Sequence, residues 1–392
     1  MLPIALKSFH IKNDRGIIDT QVDDIPPNTQ WIFLTGENGF GKTSVLQGIV
    51  SSIYTDENVE TQSLRPLQGI IEILKNGVSY YHPPIVKDMN HINKDGKRAI
   101  LMSVNDFTAY NDIIAYGSTR LRISAGSALE VMDKYNPTQS LFSNETLMIN
   151  IEDNFKDWEK DYEKGYNQLE SLFKILIPRL DKIKVEFDSV KKIKVVKYYE
   201  IDDSGKPFGF GVSILNLATG FRNIIAMIGD MINRFSKTQT VENYNDLRGI
   251  VIIDEFDIHL HPKYQKLFVQ KLTELFPKIQ FIVSTHSPIP LLGVGKDTKA
   301  AIINVSRTRE KGIQAELLDI DFSVLTPNAI LSSPIFGFQD LIPESKSDDK
   351  MIRTEDTFQE VEFNDQLKKN INQFLTKERQ EELLNLLKIK AL

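Results

Sequence analysis

Residues Gly36-Glu37-Asn38-Gly39-Phe40-Gly41-Lys42-Thr43 place two glycines, a lysine and a threonine at the offsets of a P-loop. The segment before them, Trp31–Leu34, reads as an apolar strand. The segment after, Thr43–Tyr54, puts Val45, Leu46, Ile49, Val50 and Ile53 at helical spacing. A strand that turns through a glycine loop into a helix commits the chain to an α/β fold. Such a loop wraps phosphates with backbone N–H groups, and its glycines let the chain approach the anion closely. Lys42 then supplies a point charge to the β- and γ-phosphates, and the Thr43 hydroxyl a ligand for magnesium.

About two hundred residues later, Ile252-Ile253-Asp254-Glu255 is an apolar strand ending in two carboxylates. Asp254 suits a magnesium ion. Glu255, one residue further, stands where a carboxylate polarises an attacking water. His286 follows another apolar run, Phe281–Thr285, at a strand end where α/β sheets bind ligands. It suits contact with a γ-phosphate or with the water; a capping histidine is the plainer alternative. His259 and His261 have a spacing that can bind zinc, but no third ligand accompanies them. Packing in the loop after the carboxylates, or pairing across a subunit interface, is the simpler reading. Leu217-Ala218-Thr219-Gly220-Phe221-Arg222 lies at a loop-to-helix junction, either a second anion site or a plain helix start.

Composition narrows the class. The chain has 392 residues, 41% of them hydrophobic, a net charge of −6 and no cysteine. Disulfides, thiolate metal sites and a cysteine nucleophile are excluded. The overall charge gives no polyelectrolyte mate for nucleic acid, although a local basic stripe is compatible with it. No signal peptide or membrane span is evident, so a soluble cytoplasmic protein is expected.

Further strands are expected at Ile4–Ile11, Gly16–Val22, Gly69–Leu74, Arg98–Val104, Ile113–Tyr116, Lys182–Phe187, Lys194–Ile201, Ile250–Ile253, Gln280–Ser284 and Ala300–Val305. Helices are expected at Ser127–Tyr135, Asn154–Leu176, Gly220–Phe235 and Tyr264–Phe276. Asn154–Leu176 carries an aromatic stripe that suits core, with a DNA-facing arm or partner surface as alternatives. Residues 341–392 read as a linker, Pro343–Asp356, and a helical tail, Gln366–Leu387.

The order of P-loop, Thr219-Gly220, Asp254-Glu255 and Thr285-His286-Ser287-Pro288 resembles the ABC-type ATPase heads of the SMC and RecF group. Val251–Ser287 is more similar still to the stand-alone bacterial AAA-15/AAA-21 ATPases, which are related to the ATPase half of overcoming-lysogenization-defect (OLD) proteins. Ala115–Arg120 resembles a YG-x-x-R element of that branch. The resemblance covers roughly residues 1–340. It implies a P-loop NTPase of ABC-head type, a mixed sheet flanked by helices, with a helical insertion at about 125–180. It makes Gly36, Asn38, Gly39, Gly41, Lys42, Thr43 and Ser44 the P-loop. Asp254 becomes a magnesium ligand with Thr43, Glu255 the catalytic base and His286 a switch histidine. Thr219 and Gly220 take the place of the ABC signature, reaching a γ-phosphate on another subunit, and Asp257 lies in the D-loop region. ATP and Mg2+ are the implied cofactors.

Two departures stand out. The signature reads Leu-Ala-Thr-Gly-Phe-Arg rather than Leu-Ser-Gly-Gly-Gln, which suggests a weaker contact with ATP. The Q-loop has no glutamine in Asn105–Asp112, where it would be sought, so slow turnover is expected.

Proteins of this resemblance act in anti-phage systems such as Septu-type and PARIS-type pairs or retron modules. A homo-oligomer, at least a dimer, that controls a separately encoded nuclease or toxin is the implied role. The tail is too short for a TOPRIM domain, so nuclease chemistry is expected from a partner chain. A RecF-like repair ATPase acting on DNA is the alternative; Lys191, Lys192, Lys194 and Lys197 suit a DNA stripe or a solvated strand face equally. A transporter subunit fits poorly with the signature and the insertion.

Overall fold

The computed structural model describes residues 2–53, 68–82, 112–120, 122–202, 204–295 and 298–319. The chain divides into two units, Met1–Gln339 and Asp340–Leu392. The second lies outside the described residues, as do the expected linker, tail and Arg98–Val104 strand, and all of Asn105–Asp112 except Asp112.

In chain order the elements are β1 (Ile4–Asp14), β2 (Ile17–Val22), β3 (Trp31–Thr35), α1 (Lys42–Ile53), β4 (Gln68–Lys75), β5 (Val78–His82) and β6 (Ile113–Tyr116). Next come α2 (Ala128–Lys134), α3 (Glu152–Asp161), α4 (Glu163–Leu176), β7 (Leu180–Asp188), β8 (Ile193–Ile201) and β9 (Pro207–Val212). The series continues with α5 (Thr219–Thr238), β10 (Gly249–Ile253), α6 (Pro262–Leu275), β11 (Ile279–Ser284), β12 (Ala300–Thr308) and β13 (Gly312–Leu318). Ten strands form one sheet in the order β5-β4-β1-β2-β13-β12-β3-β11-β10-β6. Strands β12, β3, β11, β10 and β6 run parallel to their neighbours in this series. The remaining strands pair antiparallel. This is the expected mixed sheet flanked by helices.

Strands β6 and β10 are apolar throughout, and the Trp31–Leu34 stretch of β3 and the Phe281–Val283 stretch of β11 likewise, because both faces are covered. Side chains alternate across the pleat. Trp31, Phe33, Tyr116, Val251, Ile253, Phe281 and Val283 join the core beneath α4, α5 and α6. Ile32, Leu34, Ala115, Ile250, Ile252 and Ile282 join the other core, against Val45, Leu46, Ile49 and Val50 of α1. Trp31 stacks on Phe281 at 4.6 Å and on Phe33 at 5.6 Å between ring centroids. The carboxyl ends of β3, β6, β10 and β11 therefore share one edge, the place where a parallel sheet binds its ligands.

One expected helix divides, and strands β5, β9 and β13 were not among the expected elements. The helix expected over Asn154–Leu176 is two helices, broken at Tyr162, whose backbone sits at φ −147° and ψ 65°. The Tyr162 ring folds back over Gly165, where a Cβ would lie 2.1 Å from the ring. Strand β9 escaped notice because Pro207-Phe208-Gly209-Phe210-Gly211 reads as loop; it completes a second sheet, β7-β8-β9. Strand β13 escaped because it is a short return from the Thr308–Gly312 turn, held by pairing to β12. The aromatic stripe is mostly core: Phe155 and Phe173 are fully buried, while Tyr162 is exposed. No helix among the described residues is long and apolar enough to cross a membrane.

One buried carboxylate ties the insertion to the sheet. Asp230 on α5 accepts from Tyr116 Oη at 2.8 Å, from the Ile149 amide at 2.9 Å and from Arg234 Nε at 2.8 Å. Removing one partner of a buried ion pair strands the other, which typically costs about 3–5 kcal/mol. Asp230→Ala should therefore lower unfolding free energy by about that amount in urea titration, and Asp230→Asn by less.

Candidate functional site

The P-loop is shaped by glycines at positions no other residue fits. Gly36 has φ 137°, and a Cβ there would lie 2.2 Å from the Val305 carbonyl oxygen. Gly41 has φ 96°, and its Cβ would lie 2.3 Å from the Ile313 side chain. The loop thus leans on β12 and β13 as it turns into α1. At the first residue of α1, the buried Lys42 ammonium donates to the carbonyls of Gly36 at 2.8 Å and Glu37 at 3.0 Å.

The second half of the site comes from the neighbouring strand ends. Thr43 Oγ1 donates to Asp254 Oδ2 at 2.8 Å across 211 residues of sequence. Ser284 Oγ, at the end of β11, donates to Asp254 Oδ1 at 2.5 Å and accepts from the Glu255 amide at 2.7 Å. Nδ1 of His286 lies 3.1 Å from Lys42 Nζ. The His286 amide donates to Asp257 Oδ1 at 3.4 Å. These groups surround a cleft of about 570 Å3, lined among others by Asn38, Gly39, Glu255 and His286. Glu255 adopts φ 48°, a left-handed conformation uncommon for a residue with a side chain.

Electrostatics in the cleft are dominated by burial and by a cluster of carboxylates. Burial pushes the Lys42 ammonium down to about 8, against the pull of Asp254, Asp257 and Glu255. His286 is held below its ordinary value by burial and by the Lys42 charge, with the three carboxylates opposing. A neutral imidazole results at pH 7, and its Nδ1 lone pair can accept from the ammonium.

Every expected residue is placed, though not all together. Asn38, Gly39, Gly41, Lys42, Thr43, Asp254, Glu255, Asp257 and His286 line the cleft. Gly36 acts from behind through its carbonyl, and Ser44 lies half-buried on the first turn of α1. Thr219 and Gly220 stand outside it. Thr219 is exposed at the start of α5, and a Cβ on Gly220 would lie 2.7 Å from the His259 carbonyl. His261 caps α6 by accepting from the Lys263 amide at 3.3 Å, and His259 is a left-handed loop residue with φ 65°. Sequence reading missed Ser284. Its signal was available: a polar residue closing the apolar run Phe281–Val283, two positions before His286. Arg120 also reaches the site, donating to the main-chain oxygens of Gly117, Asp254 and Glu255.

The donor set has a recognisable chemistry. Thr43 and Asp254 offer oxygens only, as a hard divalent cation with retained waters requires. Among the described residues no cluster of three or more His, Cys, Asp or Glu could hold a metal by itself.

A family model described as "AAA domain, putative AbiEii toxin, Type IV TA system" matches residues 32–291. Septu protein PtuA of Bacillus mycoides (strain KBAB4) is 29% identical over 366 residues, 86% of this chain and 46% of that protein. The "Retron Vc95 probable ATPase" of Vibrio cholerae serotype O1 biovar El Tor is 36% identical over 150 residues, 38% of this chain and 27% of that protein. The chain thus spans less than half the length of these relatives. Among solved structures, the SmcHead bound to the C-winged helix domain of ScpA aligns over 81% of this chain and 98% of its own, at 14% identity and a TM-score of 0.43.

Lys42 gives the cleft a measurable pH signature. Its folded value of about 8 lies below the ordinary 10.5, so between the two the unfolded chain binds more protons. Stability contributed through this group therefore rises with pH across that window. In thermal melts without nucleotide, the parent should gain on Lys42→Met as pH increases from 8 to 10.5, and a flat difference would refute the shift.

Proposed function

The chain belongs to the AAA domain family that the model describes, and on that premise we propose that it binds and hydrolyses ATP as a switch on subunit assembly. The observation that carries this reading is the closure of the P-loop on the strand-end carboxylate, Thr43 Oγ1 to Asp254 Oδ2 at 2.8 Å. A glycine loop, an ammonium, a hydroxyl and two carboxylates converge where a triphosphate needs them.

In this reading the loop amides and Lys42 bind the phosphates. Thr43 and Asp254 hold a magnesium ion, which neutralises charge on the β- and γ-phosphates when bound. Glu255 takes the proton of the attacking water. The neutral His286, hydrogen-bonded to Lys42, holds its place beside the γ-phosphate through Nδ1 and presents Nε2. Thr219 and Gly220 serve the cleft of a second copy, which the exposure of Thr219 outside its own cleft supports. Two ATP molecules are then enclosed between two heads, each formed by residues 1–340.

The assembled state regulates a separately encoded effector, a nuclease or toxin, in anti-phage defence. Similarity to a Septu protein and to a retron ATPase supports this setting. A RecF-like action on DNA is the second reading. It is favoured by the exposed Lys191 and Lys192 at the β7–β8 turn and by Lys182 and Lys184 over the Tyr199 ring at 5.0 and 5.9 Å. Asp181, Glu186 and Asp188 on the same strand dilute that charge. ATP-dependent DNA binding by the purified chain, falling steeply with salt, would favour the second reading over the first.

Phosphate release and light scattering test the central reading. Lys42→Ala should lose ATP binding. Glu255→Gln should keep ATP, turn over about 10²–10⁴-fold more slowly and accumulate as a larger ATP-bound assembly. Parental turnover by Glu255→Gln would remove Glu255 as the base.

A further inference from the structure

Behind the carboxylate pair lies a side chain whose hydrogen bonds run to the main chain. Arg120 is 1% exposed. Its Nη1 donates to the carbonyl oxygens of Gly117 at 2.9 Å and Asp254 at 2.5 Å, and its Nη2 to that of Glu255 at 2.7 Å. Two of these acceptors belong to consecutive residues, the pair whose side chains line the cleft. Consecutive carbonyls in an extended strand point to opposite sides. Here they converge on one guanidinium, and Glu255 at φ 48° is the residue that makes the convergence possible.

We propose that Arg120 is the positioning residue of the hydrolytic site: its planar fork holds the Asp254–Glu255 main chain in the left-handed turn that aims both carboxylates. The proposal rests on the ATPase reading above. The topology brings Arg120 there. Strand β6 runs parallel to β10 with Tyr116 opposite Ile253, so the chain leaving β6 emerges beside Asp254. The Asp254 amide donates to the Tyr116 carbonyl at 2.8 Å, and the loop after it folds Arg120 back under the pair. Gly117 lets the start of this loop pack against Ser140, since a Cβ there would lie 2.3 Å from the Ser140 carbonyl oxygen. On the opposite side Ser284 holds the Glu255 amide and the Asp254 carboxylate. The pair is thus gripped from two sides.

Only a guanidinium fits this duty. Burial lowers Arg120 to about 10 while Asp254, Glu255 and Asp257 pull it up, so it stays charged near neutral pH. Its donors lie in one plane at fixed angles, whereas a lysine is a single rotating point charge. A left-handed residue with a side chain persists only where its surroundings over-determine it. Loosening the grip should leave phosphate binding, which belongs to the P-loop, and disturb the chemical step.

The test separates binding from turnover. Arg120→Lys should bind a fluorescent Mg·ATP analogue within about three-fold of the parent and lose about ten- to hundred-fold in kcat, the scale of a small misplacement in a site. Arg120→Ala should lose more, and millimolar guanidinium should restore part of its turnover where equal sodium chloride does not. Parental kcat in folded Arg120→Lys, or an equal loss of affinity and kcat, would overturn the proposal. So would failure of both variants to fold by circular dichroism, which would make Arg120 a brace of the scaffold. Lys42→Ala runs alongside: a parent no faster than that variant would sink the ATPase reading itself, and this inference with it.

Discussion

The Asp254 carboxylate is the contact on which the site depends. One oxygen accepts from Thr43 on the P-loop helix, the other from Ser284 at the end of β11. Three segments widely separated in sequence meet at one side chain that is itself 4% exposed. A buried carboxylate without such donors would be costly, so the hydrogen bonds that shape the cleft also make its burial possible. Because the carboxylate is shared, no one of the three segments can shift without disturbing the others.

The sheet makes this meeting possible. Strands β3, β10 and β11 are buried on both faces and packed by Trp31, Phe33 and Phe281, which fixes their relative register. Their carboxyl ends are held at one level, and the loops that follow have only a few residues in which to place their polar groups. Around that edge the charges balance in space. Lys42 and Arg120 approach the carboxylates of Asp254, Glu255 and Asp257 from the loop side and from the sheet side, one through the cleft and one through the main chain. The neutral His286 adds a hydrogen bond without adding a charge.

Much of this was legible beforehand, for physical reasons. The P-loop could be read because its glycines are forced by positive φ and close packing, against the Val305 backbone at Gly36 and the Ile313 side chain at Gly41. The strands before Asp254 and His286 could be read because double burial demands unbroken apolar runs. Ser284 was not legible, because a serine at a strand end has many uses and only its distance to Asp254 gives it this one. Strand β9 and the break at Tyr162 were hidden for a related reason. The first depends on pairing to β8 and the second on a ring folding over Gly165 three residues on, contacts that no apolar period announces.

The amino-acid sequence by itself determined the α/β class, the phosphate-binding loop, the identity of the carboxylate pair and the family. These are local patterns, set by residues close together in the chain, where steric and hydrophobic rules act directly. Only the tertiary structure decided that Thr43 and Ser284 share Asp254, that Arg120 grips the carbonyls of Asp254 and Glu255, and that Thr219 stands outside its own cleft. Those facts depend on which strand ends become neighbours in the sheet. Neighbourhood between distant segments is set by how the whole core packs, and no local pattern encodes it.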